Sequence, residues 1–322
     1  MTYARIAGVG SVLPRKVMTN HDLEKMMDTS DEWIRERTGI KRRHIAAEDE
    51  TTASMGLEAA RRALDMAGLD PGEIDLIVVG TCTPDKVMPA SACIIQRRLG
   101  ISGCGAFDVN AACSGFVYAL DMANRYVLTG GASKVLVIGS ETMSRIVNWK
   151  DRTTAVLFGD GAGAVVIEAA DEPGILATHI HSDGAFEDLL QTRGGISLGF
   201  DAGCEAGACI EMNGNAVFKR AVGTFDAMTR EAIADLDGHL DDIDWFIPHQ
   251  ANMRIITAAA KKLGLPMERV VATVDEHANT SGASIPLAFD QAVREGRIQR
   301  GDTVLMAAFG AGFTWGSAIL KF

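Results

Sequence analysis

The chain has 322 residues, 47% apolar and 23% charged, with 34 glycines and 8 prolines. That balance belongs to an ordinary globular protein and excludes a disordered chain or a coiled coil. Asp and Glu exceed Lys and Arg by 42 − 31 = 11, which argues against non-specific nucleic-acid binding but leaves room for a local basic patch. No apolar run reaches the roughly 18–20 residues that span a bilayer. The stretch Ile6–Leu13 reads as a first strand, not a signal peptide. Cys82, Cys93, Cys104, Cys113, Cys204 and Cys209 show no C-x-x-C spacing, so reduced thiols in a cytoplasm are expected.

Strands and helices alternate along the chain. Within a first insert-like segment, Val17–Glu50, Ser30 caps a helix that carries Asp31 and Glu32 in its first turn and ends at Gly39. Trp33 and Arg37 are i,i+4 on that helix and share a face. A buried strand is predicted over Ile74–Gly80, a helix over Ala90–Leu99 closing on Gly100, and a strand over Ala106–Asn110. A helix follows over Ser114–Leu128, closing near Gly130-Gly131, then a strand over Lys134–Gly139. A second insert-like segment spans Ser182–Val217. Beyond it come an apolar strand at Trp245–Ile247 and a helix over Ala251–Leu263 that ends at Gly264, with Arg254, Ala258 and Lys261 on one face. Continuous Val/Ile runs between helices predict sheets covered on both faces, an α/β protein.

An internal repeat is visible. Ile74-Asp75 matches Ile243-Asp244 at an offset of 169, and Val135-Leu136 matches Val304-Leu305 at 169. Cys113-Ser114-Gly115 matches Thr280-Ser281-Gly282 at 167, pairing residues 112–115 with 279–282. The chain is therefore expected to be two related halves, 1–170 and 171–322.

Candidate chemistry gathers at three places. Cys113 sits where a strand turns into a helix through small residues, where the helix dipole lowers a thiol's pKa; it also fits an ordinary small buried hydrophobe. His249 follows a strand, at the end of an open α/β sheet where sites form; a hydrogen-bonded core histidine is the plain alternative. Asn279 reads as a helix cap, unless the repeat brings it beside Cys113. Gly159–Gly163 looks like a dinucleotide loop, but a strand follows where a helix is required. His179, His181 and Asp183 alternate along one strand face, more as a solvated face than as a metal site. No metal is expected.

Asp31-Glu32-Trp33-Ile34, Ala111-Ala112-Cys113-Ser114-Gly115-Phe116, Phe158–Gly163, Pro248-His249-Gln250-Ala251-Asn252, Asn279-Thr280-Ser281 and Phe309 through Gly316 together resemble the β-ketoacyl-[acyl-carrier-protein] synthase III family, the initiating condensing enzymes of bacterial fatty acid synthesis. The resemblance keeps the motif order from the first strand to the last residue. It implies a thiolase-like fold of two duplicated α/β halves in α-β-α-β-α layers, and a catalytic triad of Cys113, His249 and Asn279. It also implies acyl-CoA as substrate with no cofactor, malonyl-acyl carrier protein as partner, and a homodimer. Thr29, Trp33, Arg37, Arg152, Asn215, Phe218 and Asn252 would hold CoA, with the adenine between Trp33 and Arg152. Met88, Phe158, Met212 and Phe309 would bound the acyl pocket. The amides of Cys113 and Ala311 would form the oxyanion hole, and Lys219, Arg254, Lys261 and Lys262 the carrier-protein surface. Ala311 and Ala278 stand where glycine is frequent in the family, and Met88 where acetyl-specific members carry an aromatic, which implies primers longer than acetyl. A condensing enzyme of another pathway, or a non-catalytic subunit of the same fold, is the rival reading.

Overall fold

The computed structural model describes residues 2–200, 204, 207–235 and 240–322. After strand β1 (Tyr3–Val12) the chain makes an excursion through β2 (Lys16–Thr19), α1 (Asn20–Glu24), α2 (Asp31–Thr38) and β3 (Arg42–Ile45). Helix α2 starts where the Ser30 hydroxyl accepts the Trp33 N–H and stops where Gly39 turns left-handed at φ 77°, so the predicted cap and stop are the real ones. There follow α3 (Thr52–Ala67), β4 (Leu76–Gly80), α4 (Ser91–Leu99), β5 (Gly105–Val109), α5 (Gly115–Leu128), β6 (Lys134–Thr142), α6 (Arg152–Ala155) and β7 (Asp160–Ala170). The rest comprises β8 (Ile175–Ser182), β9 (Leu190–Thr192), β10 (Ile210–Met212), α7 (Gly214–Ala234), β11 (Trp245–Pro248), α8 (Met253–Leu263), α9 (Val274–His277), α10 (Ser284–Arg294), β12 (Thr303–Gly310) and β13 (Thr314–Lys321).

The strands form two main sheets, ordered β1-β7-β6-β4-β5 and β11-β12-β13-β8. The parallel pairs β6–β4 and β4–β5 occupy one side of the first sheet, and the parallel pair β11–β12 one edge of the second. Every residue of β4 is buried, as is all of β6 after Lys134, because helices cover both faces. One apolar cluster joins Phe116 and Leu120 of α5, Ile285 and Phe289 of α10, Val135 and Val165 of the first sheet, and Val304 and Leu320 of the second. The two helices therefore fill a layer between the sheets. Helices α3 and α4 pack on the outer face of the first sheet, and α7 and α8 on that of the second. The result is five layers, helix–sheet–helix–sheet–helix.

The structure corrects the register of the repeat. Equivalent elements start at a constant offset: 245 − 76, 303 − 134 and 284 − 115 are each 169. The 3-10 turns Ala112–Ser114 and Ser281–Ala283 obey it as well, and both open on a non-glycine at positive φ, Ala112 at 45° and Ser281 at 50°. The predicted pairing of 112–115 with 279–282 is thus two residues out, misled by the shared Ser-Gly letters. Asn279 corresponds to Asn110, not to a residue beside Cys113. Both asparagine side chains accept the amide N–H two residues on, Ala112 at 3.3 Å and Ser281 at 2.9 Å.

The second insert-like segment contains the β9–β10 ribbon; its residues 201–203 and 205–206 lie outside the described residues. The expectation of reduced thiols fails at one place. Cys204 and Cys209 form a disulfide across a Cα–Cα distance of 5.8 Å, while Cys82, Cys93, Cys104 and Cys113 are free. The two cysteines are only five positions apart in the sequence, and the Cα separation suits a disulfide.

Candidate active site

Cys113 lies in the turn between β5 and α5 and is 8% exposed. The turn is anchored to β13: Ser114 Oγ donates to the Thr314 carbonyl at 3.1 Å, and Thr314 Oγ1 to the Ala111 carbonyl at 2.8 Å. Gly310 lies so close that a Cβ there would sit 2.6 Å from the Cys113 nitrogen, which is why this strand end carries no side chain. Ala311 is not among the residues at positive φ, so its methyl is tolerated. Neither the Cys113 nor the Ala311 amide has a hydrogen-bond partner on another described residue. The thiol departs from expectation. Burial pushes it up to about 12, a hydrogen bond from Ser281 pulls it down, and the Glu141 carboxyl pushes it up again. Desolvation opposes the helix dipole that the sequence points to.

His249 follows β11, and its ring is 1% exposed. Nδ1 lies 2.7 Å from Ser284 Oγ, at the first residue of α10. Phe309 meets the ring edge-to-face at 5.8 Å. Burial pulls the imidazole down to about 3, so it is neutral at physiological pH. Asn279 is bridged to Phe158, its N–H donating to the Leu157 carbonyl and its own carbonyl accepting from the Gly159 N–H. Because Oδ1 accepts the Ser281 N–H, the amide's Nδ2 is left as the free donor.

Cys113, His249 and Asn279 line one cavity of about 520 Å³. Its walls include Trp33, Arg37, Asn215, Phe218, Asn252, Phe158, Met212 and Phe309. Asn252 doubles as the cap of α8, its Oδ1 accepting the Ile255 N–H at 2.9 Å. Arg37 and Arg152 place their guanidiniums 4.6 and 5.0 Å from the Trp33 centroid, so the predicted adenine slot is closed in this structure. Arg152 and Thr29 do not line the cavity; Arg152 donates to the Asp28 carbonyl, and Thr29 Oγ1 is buried without a partner.

A second cavity of about 190 Å³ opens on the other side of Cys113, lined by Cys82, Met143, Ile146, Phe158, Leu190 and Ile210 among others. Met88 is not part of it. It is 78% exposed on the loop before α4 and lines neither cavity of this chain. Met212 and Phe309 line the larger cavity, and Phe158 lines both. Sequence reading missed Cys82, Glu141, Ser281 and Ser284. Glu141 is fully buried and collects donors from Thr81, Cys82, Thr83 and Ser281; desolvation raises its pKa. No local signal marks these residues: Cys82 and Glu141 meet near Cys113 through packing within the first half, Ser281 reaches them from the second, and Ser284 lies behind His249.

Helix α8 presents Arg254 and Lys261 along one groove, with Arg254 over Phe218 at 5.4 Å and also at the rim of the larger cavity. Among the described residues, Lys219, Arg254 and Lys261 have no ion-pair partner, whereas Lys262 reaches Asp226 at 3.8 Å. The remaining motifs have structural partners. Asp160 of the glycine-rich run is buried and binds the Ala46 and Ser144 amides. His179 pairs with Asp235 and His181 with Glu231 on α7. Among the described residues no helix is long and apolar enough to cross a membrane.

Five layers, two offset halves and a buried cysteine at the head of a central helix define the class: a thiolase-like condensing enzyme. Models of the 3-Oxoacyl-[acyl-carrier-protein (ACP)] synthase III family match residues 107–184 and, for its C-terminal part, residues 233–322. The chain is 60% identical over 322 residues to the Beta-ketoacyl-[acyl-carrier-protein] synthase III of Thioalkalivibrio sulfidiphilus, covering 100% of both chains. The crystal structure of the synthase III from Aquifex aeolicus VF5 superposes with a TM-score of 0.93 at 46% identity, covering 99% of this chain and 100% of that one. The priming β-ketosynthase of the R1128 polyketide biosynthetic pathway gives 0.94 at 38% identity, covering 99% and 96%. The chain belongs to the β-ketoacyl-[acyl-carrier-protein] synthase III family and is an acyltransferase-type condensing enzyme of fatty acid biosynthesis.

Proposed function

We propose that the chain joins an acyl-CoA primer to malonyl-acyl carrier protein through a thioester on Cys113. The convergence of Cys113, His249 and Asn279 on one cavity carries this reading. Cys113 Sγ attacks the thioester carbonyl, and the tetrahedral oxyanion is met by the unpartnered amides of Cys113 and Ala311. CoA leaves and the acyl chain occupies the 190 Å³ pocket, whose apolar walls suit a short aliphatic primer. Malonyl carrier protein then loses CO₂, and the carbanion attacks the acyl-enzyme to give a 3-oxoacyl-carrier protein. Loss of CO₂ itself supplies the electron pair, so the sequence of steps needs no cofactor.

The enolate formed on decarboxylation places negative charge on the malonyl thioester oxygen. A neutral imidazole and an amide Nδ2 are donors without charge of their own, so neither repels the malonyl carboxylate. Phe218, Asn215 and Asn252 form the walls past which the pantetheine arm enters, and Trp33 with Arg37 and Arg152 forms the nucleotide end. An adenine entering there displaces one of the guanidiniums now resting on Trp33. Thr29 lies beside the same end, next to the α2 cap. Arg254 and Lys261, with Lys219 and Lys262 nearby, form the basic patch for an acidic carrier protein, and a second copy of the chain completes a homodimer in the cytoplasm. The test is incubation with a panel of acyl-CoAs and malonyl carrier protein, with mass spectrometry of Cys113 and of the product. An acyl mass on Cys113 and a 3-oxoacyl-carrier product support the reading; turnover without a Cys113 adduct overturns it.

A further inference from the structure

We infer that Ser284 sets the tautomer of His249, holding the ring proton on Nε2 so that the imidazole faces the cavity as a hydrogen-bond donor. The inference rests on the reading of the site given above and adds a positioning residue to it. The imidazole has no carboxylate partner among the described residues; its single polar contact is Nδ1 to Ser284 Oγ at 2.7 Å. A neutral imidazole carries one proton, so which nitrogen holds it depends on what the hydroxyl does.

Ser284 is buried. Among the described residues its Oγ has two polar neighbours, His249 Nδ1 and the backbone N–H of Gln250 at 3.4 Å. The amide can only donate, so it takes a lone pair on Oγ. The hydroxyl proton then needs an acceptor, and Nδ1 is the one within reach. Nδ1 accepts, and the ring proton resides on Nε2. The opposite tautomer sets two N–H donors against one oxygen and leaves the hydroxyl proton buried with no acceptor, an arrangement that folded interiors avoid. The neighbourhood holds the ring in this pose. Gln250 is locked by its Nε2 donating to the Pro248 and Val271 carbonyls and its Oε1 accepting the Thr273 and Val274 amides, and Phe309 closes one side of the imidazole. Burial keeps the imidazolium from forming, so no second ring proton confuses the assignment.

Two consequences follow for the reaction. His249 Nε2–H and Asn279 Nδ2–H become a matched pair of donors, each fixed from behind by a residue of the segment 281–284: Ser281 through its N–H, Ser284 through its hydroxyl. In this tautomer Nε2 has no lone pair with which to take the Cys113 proton, so the ring serves the decarboxylation step and not the ionisation of the thiol.

The experiment is nitrogen-15 NMR of the whole protein labelled at histidine, with the His249 signals assigned by their loss in His249→Gln. The wild type is expected to show a protonated-type shift at Nε2 and an unprotonated-type shift at Nδ1. The reverse pattern overturns the inference, whatever the enzyme's substrates prove to be. Ser284→Ala is expected to slow malonyl-carrier-protein decarboxylation roughly tenfold to a hundredfold, less than the loss of an oxyanion donor outright, while acylation of Cys113 by acyl-CoA stays within about twofold. Ser284→Thr keeps the hydroxyl and is expected to recover most of the decarboxylation rate. Equal losses in both half-reactions, or no loss in the alanine variant, count against the inference. A wild type that carries out neither half-reaction, with Nε2 still protonated, overturns the proposed function and leaves the tautomer standing.

Discussion

At Cys113 two effects oppose each other. The start of α5 favours a thiolate, while burial with Glu141 nearby holds the thiol up to about 12. If burial wins, alkylation of the free enzyme by iodoacetamide is expected to keep rising between pH 7 and 9; a plateau below pH 7 would show that the helix end dominates. Cys113→Ser is expected to abolish acylation with the fold intact, because a hydroxyl is scarcely ionised at neutral pH. Full acyl transfer by that variant refutes the nucleophile. His249→Ala and Asn279→Ala are each expected to slow decarboxylation by about 10²–10³ and acylation far less, since each removes one enolate donor. Retained decarboxylation with lost acylation would reverse the roles. Ala278, the residue directly after α9, sits at φ 59° and ψ −163°, a region that only glycine enters freely. Ala278→Gly is therefore expected to gain about 1 kcal/mol, strain relief exceeding the added chain entropy. Urea unfolding that shows a net loss would mean the surrounding packing holds Ala278 without strain.

Helix α8 links the site to the surface. Asn252 caps its start within the larger cavity, and Arg254 stands two residues further on at the rim, with Lys261 on the same face. The net charge of −11 repels an acidic carrier protein at long range, so docking requires this local patch to act within about a Debye length. Arg254→Glu is expected to raise KM for malonyl-carrier protein at least severalfold and to leave acylation by acyl-CoA nearly unchanged; equal effects on both half-reactions, or none, would remove the patch from docking. This helix was legible in the sequence because Gly264 stops an amphipathic run, although the predicted start, Ala251, lies two residues before the first helical residue Met253 that Asn252 caps. Helix α2 was legible for the same reason, and the buried strands announced themselves through unbroken Val/Ile runs. What the sequence does not show is register across a long distance. Ser281 and Ser284 look like any small polar residues at a helix start, and the link between Asn279 and Asn110 shows in the structure, through positive φ at Ala112 and Ser281 and the matching side-chain hydrogen bonds of the two asparagines.

The folded interior strips water from several ionisable groups. His249 and His277 end up neutral, pulled down to about 3 and about 4 by desolvation. In the unfolded chain both titrate near 6.5. Below that pH the unfolded state binds protons that the folded state refuses, so stability falls as pH drops from 6.5 towards 4. At pH 4.5 each histidine contributes a loss of about 2–3 kcal/mol, from roughly two units at 1.36 kcal/mol per unit. Glu141 and Asp160 work the other way: burial raises their folded pKa values, so in that range they bind protons more readily folded than unfolded and soften the acid loss. His277 is the cleaner probe, since its Nδ1 is buried without a partner and it lies outside the cavity walls. His277→Gln removes one proton-refusing site. Its stability relative to wild type, from urea midpoints, is expected to shift in the variant's favour by about 2–3 kcal/mol between pH 7.5 and 4.5. Parallel curves across that range would mean that the buried histidines do not set the acid limit of this fold.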